Sequence, residues 1–287
     1  MAATDSEDDA TNDADAAADI EDLAALAGDE REAVRRFLLG LADDELVAAE
    51  RYTEWQVRSP TLESDIALSN IAQDELGHAR LWYDLLGRFG YDETDLIWER
   101  EPDTFRHTTL VELPFGEGDW ADAIVRSYLY DAAEDVRLHA IEDSTVVPIR
   151  GRVGKILDEE EYHLEHAHSW LERLVADDDG RQRVQAAVDR LYPHALGLFE
   201  PAGDGEAIVD ELGVRDQSLA EMREEWETRV TGTLEGIGVE VPDAEPAAPV
   251  GRDGEHTDHW PALHEAMTET YRELDRDTAT LIMDPEP

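Results

Sequence analysis

The sequence predicts an all-α fold, a four-helix bundle with additional C-terminal helices. Three observations carry this reading. Apolar residues recur at helical spacing from about residue 30 onward, and no convincing set of alternating positions marks strands. Two long helical stretches are separated from two more by one long connection.

Residues 1 to about 28 are rich in Ala, Asp and Glu and poor in large apolar side chains, which predicts a disordered acidic tail. The remainder, 29–287, reads as one helical domain, with a core bundle over about 30–177 and a helical extension over about 181–280. The first long helix is expected over about 30–58. The second is expected over about 60–88, with Ser59 as N-cap, Pro60 in the first turn and Gly90 just past its end. An irregular connection over 90–118 carries Pro102, Pro114, Gly116 and Gly118. The third and fourth helices follow over about 119–147 and 151–176, which completes the layout of a ferritin-like bundle. Shorter helices are expected over about 181–197, 205–212, 216–235 and 259–280, the last one after a Pro/Gly/acidic linker at 239–256.

Composition narrows the function. With 24 basic against 71 acidic residues, the net charge is -47 and the pI near 4.2, a surface that repels nucleic acid and anionic membrane. Such self-repulsion fades at molar salt, where the Debye length is about 3 Å, so a halophilic cytoplasm is the expected setting. The N-terminus has neither the basic head nor the apolar segment of a secretory signal, and no apolar run reaches the roughly 20 residues of a membrane helix. Cysteine is absent, so any metal must sit among oxygen and imidazole ligands.

The second helix contains QDELGHARLWYDLL, whose stripe Ile71, Glu75, His78, Trp82, Leu85 puts a carboxylate and an imidazole among core-facing residues. Buried without a partner, each would cost several kcal/mol, roughly. The fourth helix repeats the pattern in Val153, Ile156, Glu160, His163, Ala167, Trp170. Two Glu-x-x-His pairs on facing helices need one further carboxylate from each remaining helix to hold two metal ions. Glu45 lies on the first helix's stripe and Asp131 on the third's. Glu45, Glu75, His78, Asp131, Glu160 and His163 are therefore the candidate ligands, the four carboxylates doubling as candidate catalytic groups. Four negative charges match two divalent cations, and Asp74 and Glu159 are placed to orient the imidazoles from outside.

Other residues have plainer readings. Glu165 and His168 form a third Glu-x-x-His, but Glu165 lies about 140° around the helix from Glu160 and reads as surface. Glu50 and Glu134 are rival carboxylates expected to be solvated. His107, His139, His166, His194 and His264 are read as surface or satisfied core residues, and Tyr52, Trp55, Trp82, Tyr128 and Trp170 as core packing. There is no Gly-rich phosphate loop.

The segments ADDELVAAERYTEW, SPTLESDIALSNIAQDELGHAR, SYLYDA, EEYHL with SWLERL, and His256-Thr257-Asp258-His259 followed by Met267 resemble the PaaC family, the C component of the multicomponent phenylacetyl-CoA oxygenase, a 1,2-epoxidase. The resemblance implies aerobic phenylacetate catabolism and pairing with a homologous catalytic A component. It also implies a reductase that delivers NAD(P)H electrons to a diiron centre, where activated oxygen epoxidises the ring of the CoA thioester. In familiar bacterial members the C component has lost ligands, whereas all six candidates remain here. Spacing does not separate iron from manganese. Two other readings stay open: a non-catalytic structural partner of the A component, and a stand-alone ferroxidase or manganese catalase.

Overall fold

The computed structural model describes residues 18–115 and 119–274. Among them no strand forms, and Ile20 and Val146 make one isolated bridge. Helix α1 spans Gly28–Trp55, with Asp29 and Glu30 at the positive end of its dipole. Helix α2 spans Leu62–Gly87 and starts two residues later than the Ser59-Pro60 reading, because Thr61 accepts the Ser64 amide and so caps the first turn. The crossover carries short helical turns at Thr94–Trp98 and Pro102–Thr104 and the one-turn α3 (Thr109–Glu112). Helix α4 (Trp120–His139) opens with a capping box between Asp119 and Asp122.

Helix α4 ends eight residues before the expected 147. The chain there turns outward: the Thr145 amide and hydroxyl donate to the Gly213 and Leu212 carbonyls, and the Ile20 amide donates to the Thr145 carbonyl. Helix α5 then begins early, spanning Val147–Leu174 with Pro148 in its first turn, where a missing amide costs nothing. The extension consists of α6 (Asp178–Ala195), α7 (Glu206–Glu211), α8 (Leu219–Gly236) and α9 (Trp260–Glu273). The stretch 1–28 expected to be an acidic tail is described only from residue 18 onward. Its residues 1–17 lie outside the described part, but Leu23 and Leu26 are buried against the bundle. Residues 275–280 of the expected last helix also fall outside the described part.

Helix α1 packs along α2 and α4 along α5, and α2 faces α5 to close the bundle; α6 and α8 cover α4. Trp226 of α8 is fully buried, stacked on Tyr192 and donating its indole N–H to the Leu129 carbonyl. This apolar shell surrounds an unusual run on α1: Asp43, Asp44 and Glu45 are all fully buried. Asp43 accepts the Tyr83 hydroxyl, a two-pronged Arg100 guanidinium and the Arg106 amide. Asp44 accepts the Thr108 amide, Arg137 and both arms of Arg252.

Arg252 comes from the 239–256 linker, which folds back over the crossover instead of hanging free. Gly251 makes this approach possible, since a Cβ there would meet the His107 carbonyl oxygen at 2.1 Å. Gly254 takes a positive φ of 82° where it approaches the Asp103 carbonyl of the crossover. Arg252 also donates to the carbonyls of Gly40 and Arg106, so one buried guanidinium ties α1, the crossover and the C-terminal segment together. Arg252→Ala strands part of Asp44's charge in the interior. It is expected to lower the unfolding free energy by about 3 kcal/mol, measured by urea denaturation in high salt.

Candidate metal centre

The four core helices bring the six sequence-derived residues into one interior. Glu45, Glu75, His78 and His163 have no solvent exposure, and Asp131 and Glu160 have 1%. They are buried because they occupy the inward stripe of amphipathic helices, flanked by Leu41, Ile71, Trp82, Ile124, Ile156 and Ala167. One ligand atom each from Glu45, Glu75, His78 and Glu160 lies within 4.8 Å of the others. His163 joins through its Nδ1, 3.1 Å from Glu160 Oε1 and 3.7 Å from Glu75 Oε1. Asp131 stands outside this tight set, with both oxygens buried.

Both imidazoles present Nδ1 inward and Nε2 outward. His78 Nδ1 is 3.3 Å from the same Glu160 Oε1 and 3.8 Å from Glu45 Oε2. Outside, the bonds cross between helices: Glu159 of α5 takes His78 Nε2 at 2.9 Å, and Asp74 of α2 takes His163 Nε2 at 3.4 Å. Each outer carboxylate thus fixes the ring of the facing helix, the arrangement by which metal-ligating histidines are oriented. Asp74 and Glu159 are about one-third exposed and line a surface cleft of about 410 Å³ with Asn70, Gln73, Asp158 and Tyr162, which places solvent close to the site.

Charge dominates the chemistry. Burial, and then the neighbouring Glu45 carboxylate, raise the Glu75 pKa well above the usual carboxylate range; burial and Glu160 do the same to Asp131. Burial opposes the ionised form of Glu160 too, but the charge and hydrogen bond of His163 override it and hold the carboxyl at about 2. Burial opposes the charged imidazoles as well. The adjacent carboxylates of Glu160 and Glu45 outweigh it at His78, raising it to about 11, and the charge of Glu160 with the bond to Asp74 raises His163 to about 10. Protons therefore stand where cations would, and a bound metal would displace them.

A second cluster shows what a satisfied site looks like. His107, Glu112 and His256 also bring donor atoms within 4.8 Å. Here, however, Glu112 Oε2 bonds to His107 Nε2 at 2.7 Å and to His256 Nδ1 at 2.9 Å, while Glu112 Oε1 accepts the Thr257 amide. His256 Nε2 adds a bond to the Phe105 carbonyl, and its ring stacks on His107 at 4.2 Å. The carboxylate is fully served, so this is a hydrogen-bonded clasp between crossover and C-terminal segment. In the bundle interior, by contrast, both oxygens of Glu45, Glu75 and Asp131, together with Glu160 Oε2, are buried and accept no hydrogen bond. Carboxylate oxygens left without donors across four helices fit a pair of hard or borderline cations with oxygen and nitrogen ligands.

Glu165 and His168 are exposed, as expected, while Tyr52, Trp55, Trp82 and Tyr128 are core and Trp170 is half-buried against it. Glu50 is half-buried, not freely solvated, and Glu134 is fully buried beside Arg137, contrary to the expectation that both face water. The buried partners Arg100, Arg137 and Arg252 escaped sequence reading because their carboxylates lie far away in the chain. The one available signal was the triple acid of LADDELV on a helix whose flanks are apolar.

An interior of four carboxylates and two imidazoles, in a bundle with one long crossover, defines a ferritin-like helical protein. A family model described as Phenylacetic acid catabolic protein matches residues 6–278, and the chain belongs to that family. It is 31% identical over 226 residues to the C subunit of the 1,2-phenylacetyl-CoA epoxidase of Escherichia coli (strain K12), covering 78% of this chain and 90% of the relative. It is 25% identical over 206 residues to the A subunit of the same epoxidase, covering 70% of this chain and 66% of that relative.

The clasp yields a pH prediction. Burial opposes ionisation of Glu112, but the bonds from His107 and His256 prevail and lower its pKa from 4.5 to about 2. A depressed carboxyl contributes stability above its unfolded pKa and loses it as pH falls from about 4.5 toward 2. At neutral pH, Glu112→Gln is expected to cost up to about 3 kcal/mol of unfolding free energy. That gap from wild type should narrow below about pH 4.5 and close only as pH reaches about 2, as read from denaturation curves at constant high salt.

Proposed function

We propose that this chain is a metal-binding subunit of a multicomponent phenylacetyl-CoA monooxygenase acting in aerobic phenylacetate catabolism. Its carboxylate-bridged diiron site would be held by Glu45, Glu75, His78, Asp131, Glu160 and His163. The observation that carries the reading is the set of buried carboxylate oxygens, contributed by four helices, that accept no hydrogen bond. Kinship with the C and A subunits of an epoxidase supplies the reaction class.

In this reading Glu75, Glu160, Glu45 and Asp131 would hold the metals through their carboxylates, and His78 and His163 would each offer Nδ1. When bound, the metal pair supplies activation of dioxygen, with NAD(P)H electrons arriving through a separate reductase. Glu159 and Asp74 hold the outer imidazole nitrogens and so keep both rings aimed inward. The buried Asp43 and Asp44 networks hold α1 in register, which keeps Glu45 facing α2 and α5. The apolar wall of Trp82, Ile71 and Ile156 excludes bulk water, so charge on the ligands is not screened away. A homologous partner of the A type completes the assembly, and phenylacetyl-CoA is the substrate of the complex.

Iron analysis of the purified protein, after anaerobic loading in high salt, is expected to give two irons per chain. The double variant Glu75→Ala, His78→Ala is expected to lose both the iron and at least about 100-fold of the complex's epoxidase activity, since such ligands act as a unit. Wild-type protein with well under one iron per chain, or a double variant that supports full activity, would overturn the assignment and leave a scaffold beside the A-type partner.

A further inference from the structure

Glu134 carries the same structural signature as the candidate carboxylates Glu45, Glu75 and Asp131, although no spacing argument selected it. It lies one turn beyond Asp131 on α4, on the same inward side, with 1% exposure. Neither of its oxygens accepts a hydrogen bond. Its cationic neighbour among the described residues, Arg137 Nη1, stands 3.2 Å from Oε2 but donates its aligned bond to Asp44 at 2.9 Å.

A carboxylate buried only to support the fold is treated differently in this protein. On α1, Asp43 and Asp44 each receive donors on both oxygens. Glu112 does too. Glu134 Oε1 has neither a hydrogen bond nor an ion pair, in an interior where leaving a charged acceptor unserved costs a few kcal/mol, roughly. Its charge acts on the same groups as the centre does: burial pushes its pKa well above the usual range, Arg137 draws it back, and Glu45 and Glu160 push it up again. The hydroxyl of Tyr130, buried among these charges, does not close on it.

Glu45, Glu75, Asp131, Glu160, Glu134 and Asp44 are six buried carboxylates, and Arg137 and Arg252 are the two guanidiniums interleaved with them. Four negative charges remain, the amount that two divalent cations neutralise.

Resting on the dimetal reading above, we propose that Glu134 is a fifth metal-directed carboxylate of the centre, steadied on its Oε2 side by Arg137 and offering Oε1 to a bound cation. Helix α4 would then supply two carboxylates, Asp131 and Glu134, where α1 supplies one.

The test uses full-length protein in high salt with Co²⁺ as the probe, whose visible absorption reports its ligand set. Wild type is expected to bind two Co²⁺. Glu134→Gln, which keeps the side chain's shape, is expected to weaken one of the two by about tenfold or more and to change the visible bands, with an unaltered helical circular dichroism spectrum. Glu134→Asp keeps a charge for Arg137 while withdrawing the carboxylate by one methylene. It serves if the Gln variant does not fold, and should also weaken one Co²⁺. Two Co²⁺ bound with wild-type affinity and wild-type bands in the folded variant would overturn the role of Glu134 alone. Wild type that binds no Co²⁺ would overturn the dimetal reading and this proposal together.

Discussion

The structure depends on positive charge reaching its centre. Burying a carboxylate in an apolar interior is unfavourable unless donors or cations surround it, and this bundle buries a whole series of them. The need is met in two ways. Around Asp43 and Asp44, arginines from the crossover, from α4 and from the C-terminal segment supply fixed guanidiniums. Around Glu75 and Glu160 there is no guanidinium in the tight cluster, only two imidazoles that hold protons in the cation-free state. The first solution builds architecture, whereas the second leaves room for ions.

These two zones meet at α1, where Asp43, Asp44 and Glu45 follow one another in the chain. Successive helical residues point about 100° apart, so three neighbours reach three different surroundings. Asp43 faces the start of the crossover, Asp44 faces Arg137 and the returning linker, and Glu45 faces the centre. The C-terminal extension is thereby part of the centre's support, and the clasp through His256 and Glu112 fastens it from the other side.

Much of this was legible in the sequence. Four long helices, the single crossover and the all-α class follow from apolar periodicity, and the six inward polar residues stand out because they interrupt it at matching places. Asp74 and Glu159 could be assigned to orientation because each precedes a candidate ligand by one residue, although the crossing of their bonds between helices needs the fold. Helix ends were less legible: the 119–147 reading joined α4 to the turn after it because nothing local announces the bonds from Thr145 to Leu212 and Gly213. Glu134 was misread as solvated for a related reason. Its inward setting depends on Arg137, which is itself held by Asp44 from another helix, and no local pattern announces that chain of contacts.

The basic side chains are nearly all arginine: Lys155 is the single lysine in 287 residues. It sits on α5 bonded to both oxygens of Glu159, whose Oε2 in turn bonds to His78. Amine-directed chemistry therefore has one side chain to modify, at the rim of the interior cluster. A fluorine or dye reporter attached there would sit two contacts from an inward-facing imidazole and could follow the filling of the bundle optically or by resonance, without any cysteine having to be introduced.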